Sequence, residues 1–210
     1  VTTPEPNARC VTRSPTAKAG AALPAGFAAG GAGLIWMEAV AVTPEARANP
    51  CQLMITEDNI ESFRQLLADT RRAAADAGLE APKIIAQLTH SGRYSRPVGH
   101  APAPVIVQHD PLLDPPVGLG PDSPVATDEY LEGLIPNEEL EKLPAKFAHS
   151  TKLAMEAGFD GVDVKACHLY LMSEMLGGFD RPAPYGGSYE NRTKIYFECV
   201  KAAASEIGNG

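Results

Sequence analysis

The sequence predicts an α/β protein in which strands and helices alternate along a parallel sheet. Three observations predict it. Short apolar runs, "LIWMEAVAV" (34–42) and "KIIAQL" (83–88), have the length and β-branched content of buried strands. Longer segments with apolar residues at helical spacing lie between and after them. A further strand signal, "GVDVK" (161–165), follows a helix stop at "AMEAG", so the alternation continues to the last third of the chain.

Taken in order, "AAGGAGL" is glycine-rich but precedes a strand instead of opening a helix, and it reads as a turn. With no G-x-G-x-x-G after a strand and no P-loop, neither nucleotide-binding fingerprint is met. Residues 55–78 read as a helix, with Thr56 as N-cap, Glu57 and Asp58 at the positive end of the dipole, and Gly78 as the stop. Ile60, Phe63, Leu67 and Ala74 keep its apolar spacing. Residues 97–124 are proline-rich and read as a long surface loop, with a short strand at Val105-Ile106-Val107. A helical region over 127–157 is expected to be broken by Pro136 and Pro144, and a last helix runs from about Tyr189 to Ile207. Gly186-Gly187 form a turn before it and Ser188 caps it.

Composition narrows the function classes. The chain of 210 residues can bury one sizeable core, and 44% hydrophobic with 21% charged residues is ordinary for a globular protein. A net charge of −8 without a basic cluster argues against a nucleic-acid partner, because phosphate binding needs concentrated positive charge. Cys10, Cys51, Cys167 and Cys199 lie far apart, so metal ligation is not expected, and they read as reduced thiols of a cytoplasmic protein. The uncharged stretch from Ala19 to Met37 follows Arg9, Arg13 and Lys18, but its Ala and Gly content and Pro24 make it a poor membrane segment.

In a parallel α/β fold, functional groups collect where strands end and loops begin. Three such junctions carry polar groups: Glu38-Ala39, Gln87 through Arg93, and Lys165 through Tyr170. Alone, each is weak. Gln87 and His90 would more often anchor a loop, His168 would more often be a packed histidine, and Tyr170 a packed aromatic at a helix start. Cys167 has no activating base beside it.

Together the segments "GAGLIWMEAVAVTPEARANP", "AQLTHSGRYSRP", "AGFDGVDVKACHLYL" and "RPAPYGGSYENR" resemble the Old Yellow Enzyme family of FMN-dependent NADH:flavin oxidoreductases. The resemblance covers most of residues 7–210 and implies a TIM (β/α)8 barrel. About four parallel strand–helix units are present, so residues 1–210 are expected to form one partial domain, the N-terminal half of that barrel. It also implies roles by position. Ala39 matches the small residue against the flavin, and Gln87 matches the glutamine that hydrogen-bonds its ring. Thr12 falls in "NARCVTRSPT", the first-strand segment that touches the cofactor. Lys165 and His168 fall on the paired positions that hold the substrate's oxygen, and Tyr170 on the tyrosine that protonates substrate carbon. His90, Ser91 and Arg93 are expected to shape the loop after the third strand, and Arg181 to be structural.

Several positions depart from the family pattern. Arg13-Ser14 stands where the family carries Pro-Met, Leu169 replaces a glycine, and Lys165 replaces a histidine or asparagine. The helix after the first strand is shortened to "AALPAGFAA", and "PNEELEKLP" (136–144) looks like an insertion. Lys165 has an alternative fate in a salt bridge with Asp163 or Glu174. The family's phosphate site would lie in the half of the barrel not represented here, so this chain alone is expected to be inactive. The resemblance therefore implies an enzyme using FMN, with NADH or NADPH as hydride donor, that reduces an activated C=C bond of a small molecule. Two other readings stay open: an amine dehydrogenase or demethylase of the same family, and a non-catalytic half-barrel scaffold. A homo-oligomer or a separate C-terminal half-barrel would cover the open sheet edges.

Overall fold

The computed structural model describes residues 18–98, 102–110, 113 and 133–207. Elements follow in the order α1 (Lys18–Ala29), β1 (Leu34–Trp36), β2 (Val40–Ala41), α2 (Ile60–Asp76), β3 (Lys83–Thr89), α3 (Asn137–Leu140), α4 (Leu143–Ala157), β4 (Gly161–Val164), α5 (Leu171–Leu176) and α6 (Tyr189–Ile207). Short 3-10 turns occupy Pro44–Ala46 and Gly92–Tyr94.

All pairings are parallel, and β3 is the hub. It pairs with β1 and β2 along one edge and with β4 along the other. The expected strand 34–42 is present but broken into β1 and β2. Parallel neighbours cannot be joined by a hairpin, so a helix returns the chain between them. Helix α2 connects β2 to β3, and α4 leads into β4. The expected first strand, with Thr12, Arg13 and Ser14, lies outside the described residues.

The two faces of the sheet differ. Alternate residues of β3 (Ile84, Ala86 and Leu88) are buried and join one cluster with Phe63, Leu66 and Leu67 of α2 and Phe147 and Ala154 of α4. Phe63 also meets Phe159 with ring centroids 6.2 Å apart. On the opposite face Leu34 and Trp36 are each 54% exposed, and Ile85, Gln87 and Asp163 are half-buried. Among the described residues, helices α2 and α4 pack on the buried, outer face, as in one half of a barrel wall. Among the described residues no helix is long and apolar enough to cross a membrane.

Charged ties close the end of the sheet away from the strand C-termini. Asp160 accepts from the Ile84 N–H (3.0 Å), from Arg71 of α2 (2.9 Å) and from Lys83 (2.9 Å). Burial alone would raise its pKa, but these hydrogen bonds hold the carboxyl below the usual range.

Three local expectations are corrected and one holds. Helix α2 begins at Ile60, not at 55, and Asn59, not Thr56, is its N-cap residue. The Asn59 amide accepts from the Thr56 N–H (2.9 Å) and donates to Met54 O (2.8 Å), holding residues 54–59 in a turn that stops the helix from starting earlier. Val105–Val107 forms no strand; Ile106 makes a single bridge to Leu134. The region is divided near Pro136 and Pro144, as expected: Pro136 is the N-cap residue of α3, and Pro144 sits in the first turn of α4, where a missing N–H and a fixed φ cost nothing. Finally, Cys51 is disulfide-bonded, so the expectation of reduced thiols fails there; Cys167 and Cys199 are free.

Candidate active site at the C-terminal edge of the sheet

The break between β1 and β2 sets the geometry. Trp36 is paired with Ile85 and Val40 with Leu88, so four steps along one strand face three along the other. The extra residue is a bulge. Continued back by one, the β2 register sets Ala39 level with Gln87, and Gln87 is paired with Asp163 of β4. Ala39, Gln87 and Asp163 thus form a row across three strands near their C-terminal ends. The loop below is held by Gln52, whose amide donates to Ala39 O at 3.1 Å.

Gln87 is oriented within that row. Its Nε2 donates to Asp163 Oδ2 at 2.9 Å, and Trp36 Nε1 donates to the same oxygen at 3.3 Å. With its nitrogen tied to a carboxylate, the amide keeps Oε1 and its second N–H for another partner. That donor set fits an isoalloxazine, whose edge alternates carbonyl oxygens with an N–H.

Lys165 follows β4, and its N–H continues the ladder to Leu88 O at 3.0 Å. Two residues after Asp163, it lies on the same face by the period of a strand. The chain then turns sharply. His168 (φ 63°) and Leu169 (φ 53°) are consecutive left-handed residues. That region costs about 1–2 kcal/mol for a side chain with a Cβ. At 169 the related family's glycine would meet it freely. Two bonds fasten the turn: Tyr170 N–H to Cys167 O (3.2 Å) and Leu171 N–H to His90 O (3.1 Å). Tyr170 is then the N-cap residue of α5, in extended conformation.

The reversal gathers three of the expected side chains around one ring. Lys165 Nζ lies 4.7 Å from the Tyr170 centroid, and the His168 ring meets it edge-on at 6.2 Å. Tyr94, which sequence reasoning did not single out, packs against Tyr170 at 5.9 Å. Burial, with the neighbouring Tyr94 and Cys167, pushes the Tyr170 phenol above its ordinary pKa, so it holds its proton at neutral pH. Asp163 and Trp36 were also missed; an aspartate in an alternating strand and a tryptophan in an apolar run carry no signal by themselves.

The loop after β3 is structural, as expected. Arg93 forms a buried pair with Glu174 at 2.6 Å and donates to Gln108 O at 2.8 Å. The Val107 N–H also donates to Glu174, at 2.9 Å. Burial pulls the Glu174 carboxyl above its ordinary range, against the opposing effect of these donors. Gly92 is required: its φ is 59°, and a Cβ there would lie 2.7 Å from the Leu171 nitrogen. Arg181 bonds Val107 O, Ile135 O and Asn137 Oδ1 and so ties two loops together. Cavities of about 190 and 510 Å³ flank these loops, but neither includes Gln87, Lys165, His168 or Tyr170. The row and the tyrosine cluster sit on the open face instead.

Known proteins share both sequence and fold with this chain. Residues 17–210 match the model of the NADH:flavin oxidoreductase / NADH oxidase family. NADPH dehydrogenase of Bacillus velezensis is 30% identical over 186 residues, covering 87% of this chain and 48% of that protein. The old yellow enzyme homologue of Zymomonas mobilis superposes with a TM-score of 0.66 at 27% identity, over 89% of this chain and 51% of its own. A variant of morphinone reductase in complex with tetrahydroNAD gives 0.67 at 26% identity, over 90% and 51%. The chain spans about half the length of these relatives, and the sheet described above is half of their barrel. Residues 1–210 belong to the NADH:flavin oxidoreductase / NADH oxidase family, the Old Yellow Enzyme family, whose cofactors are FMN and a nicotinamide.

Proposed function

We propose that this chain forms the substrate-facing half of a flavin oxidoreductase that reduces an activated C=C bond. The observation that carries the reading is the convergence of Lys165, His168 and Tyr170 on one space, on the same sheet face as the Ala39–Gln87 row. FMN bound over that row would supply hydride taken from NADH or NADPH. Gln87, fixed by Asp163, holds the ring edge, and Ala39 leaves room for its face. Lys165 and His168 donate to the substrate's oxygen, where negative charge develops as hydride reaches the β-carbon. One such donor lowers the barrier by about 3–4 kcal/mol. Tyr170, a neutral phenol at physiological pH, delivers a proton to the α-carbon.

Half-reactions separate these roles. In the flavin-loaded protein, Tyr170→Phe slows oxidation of reduced flavin by 2-cyclohexenone by roughly 100-fold or more, the usual contribution of a general acid. Reduction of the flavin by NADPH stays at its wild-type rate. Equal losses in both half-reactions contradict the proton-donor role.

A further inference from the structure

Lys165 is only 7% exposed, yet among the described residues no carboxylate pairs with it. Both candidates near it in sequence are engaged elsewhere. Asp163 Oδ2 takes hydrogen bonds from Gln87 and Trp36. Glu174 Oε1 takes them from Arg93 and the Val107 N–H. What remains to Lys165 is the face of Tyr170, a partner worth about 0.5–2 kcal/mol. A buried cation is normally matched by an anion, because desolvating it alone is costly. Lys165 lies in the candidate active site, beside Tyr170 and close to His168.

We infer that the substrate supplies the anion that pairs with Lys165, and that the substrate class is α,β-unsaturated carboxylates, with Lys165 as the residue that selects them. The inference rests on the ene-reduction reading above and narrows it. A neutral carbonyl needs donors but no formal charge; a carboxylate needs a counter-ion. The geometry suits the reaction. Lys165 Nζ lies 4.7 Å from the Tyr170 ring centroid, so a carboxylate held by the lysine lies beside that side chain, with its α-carbon one bond from the held group. Reduction of a carboxylate is otherwise disfavoured, since an anion must accept more negative charge, and the ammonium offsets that charge. The step balances. Hydride from the reduced nicotinamide, passed on by the flavin, forms the β-carbon–hydrogen bond. The π pair moves toward the carboxylate carbon, Tyr170 protonates the α-carbon, and solvent restores its proton. The C=C bond is reduced to C–C and NAD(P)H is oxidised to NAD(P)+.

The test compares cinnamate, methyl cinnamate and 2-cyclohexenone as oxidants of the reduced flavin in the loaded protein, with wild type, Lys165→Met and Lys165→Arg. Ligand-observed NMR of cinnamate and methyl cinnamate binding to residues 1–210 runs beside it and needs no turnover. Wild type is expected to favour cinnamate over its ester in kcat/KM. In K165M that preference ratio falls roughly 100-fold, as when one partner of a buried charge pair is removed, and K165R retains most of it. NMR shows cinnamate binding that K165M loses and K165R keeps. If the ester and 2-cyclohexenone turn over while cinnamate does not, or if the ratio is the same in K165M, the carboxylate inference is overturned and the ene-reduction reading survives. If none of the three oxidises the flavin, that earlier reading fails. Cinnamate binding that ignores the Lys165 variants overturns the inference regardless of turnover.

Discussion

Exchanging His90 for glutamine should flatten the acid limb of the stability profile. His90 sits at the end of β3, only 3% exposed, and its Nδ1 accepts the Gly92 N–H at 3.1 Å. Burial drops its pKa from 6.5 to about 4; Glu45 opposes the drop and Lys146 adds to it. The folded protein therefore keeps the imidazole neutral where the unfolded chain takes up a proton. This contribution is complete above pH 6.5 and is lost as pH falls through the window down to about 4. From that difference the total loss is about 3 kcal/mol, of which about 2.5 kcal/mol has gone by pH 4.5. His90→Gln keeps an acceptor for Gly92 and removes the titration. Urea unfolding followed by circular dichroism at pH 7.5, 6.0, 5.0 and 4.5 measures the change. The gap between the wild-type and H90Q curves should close or invert by about 2–3 kcal/mol across that range. Parallel curves would refute a neutral, buried His90.

Other expectations follow from single contacts. Gly92→Ala drives a methyl group into the backbone of Leu171 at a left-handed position and should cost about 2 kcal/mol or more, read as a lower urea midpoint. Arg93→Met strands Glu174 in the interior and should cost about 3–5 kcal/mol; Glu174→Gln, which keeps an acceptor for Val107, should cost less, and the reverse order in thermal unfolding would show that the pair is not held as described. Asp163→Asn removes the charged acceptor that orients Gln87 and should weaken FMN binding to the full-length protein roughly tenfold by equilibrium titration, the worth of one hydrogen bond to a charged group.

Elements decided by local chemistry were legible in the sequence. "KIIAQL" and "GVDVK" became β3 and β4, and Tyr189–Ile207 is one helix, with the Asn191 N–H capped by Ser188 Oγ at 3.3 Å. Where a side chain competed with a simple rule, the reading slipped. Asn59 accepts from the Thr56 N–H and donates to Met54 O across the turn before α2, so Thr56 is held in the turn and does not cap the helix. The broken strand was hidden because a continuous apolar run has no alternation to show a change of face. At the site, positions were legible but partners were not. Whether Lys165 pairs with Asp163 or Glu174 depends on Gln87 and Arg93, which lie 76 and 81 residues away from those acids. The two left-handed residues carry no composition signal, since neither is glycine.

The misfit between β1 and β2 leaves this strand one residue longer than the stretch of β3 it faces between Ile85 and Leu88. Removing one of residues 37–39 would let Trp36–Ile85 and Val40–Leu88 stay paired across a continuous strand, with Val40 and Ala41 still enclosed. A deletion inside β3 would instead shift its partners along both edges and turn the side chains beyond the cut to the opposite face. Natural length variants should therefore gather at the misfit and spare β3.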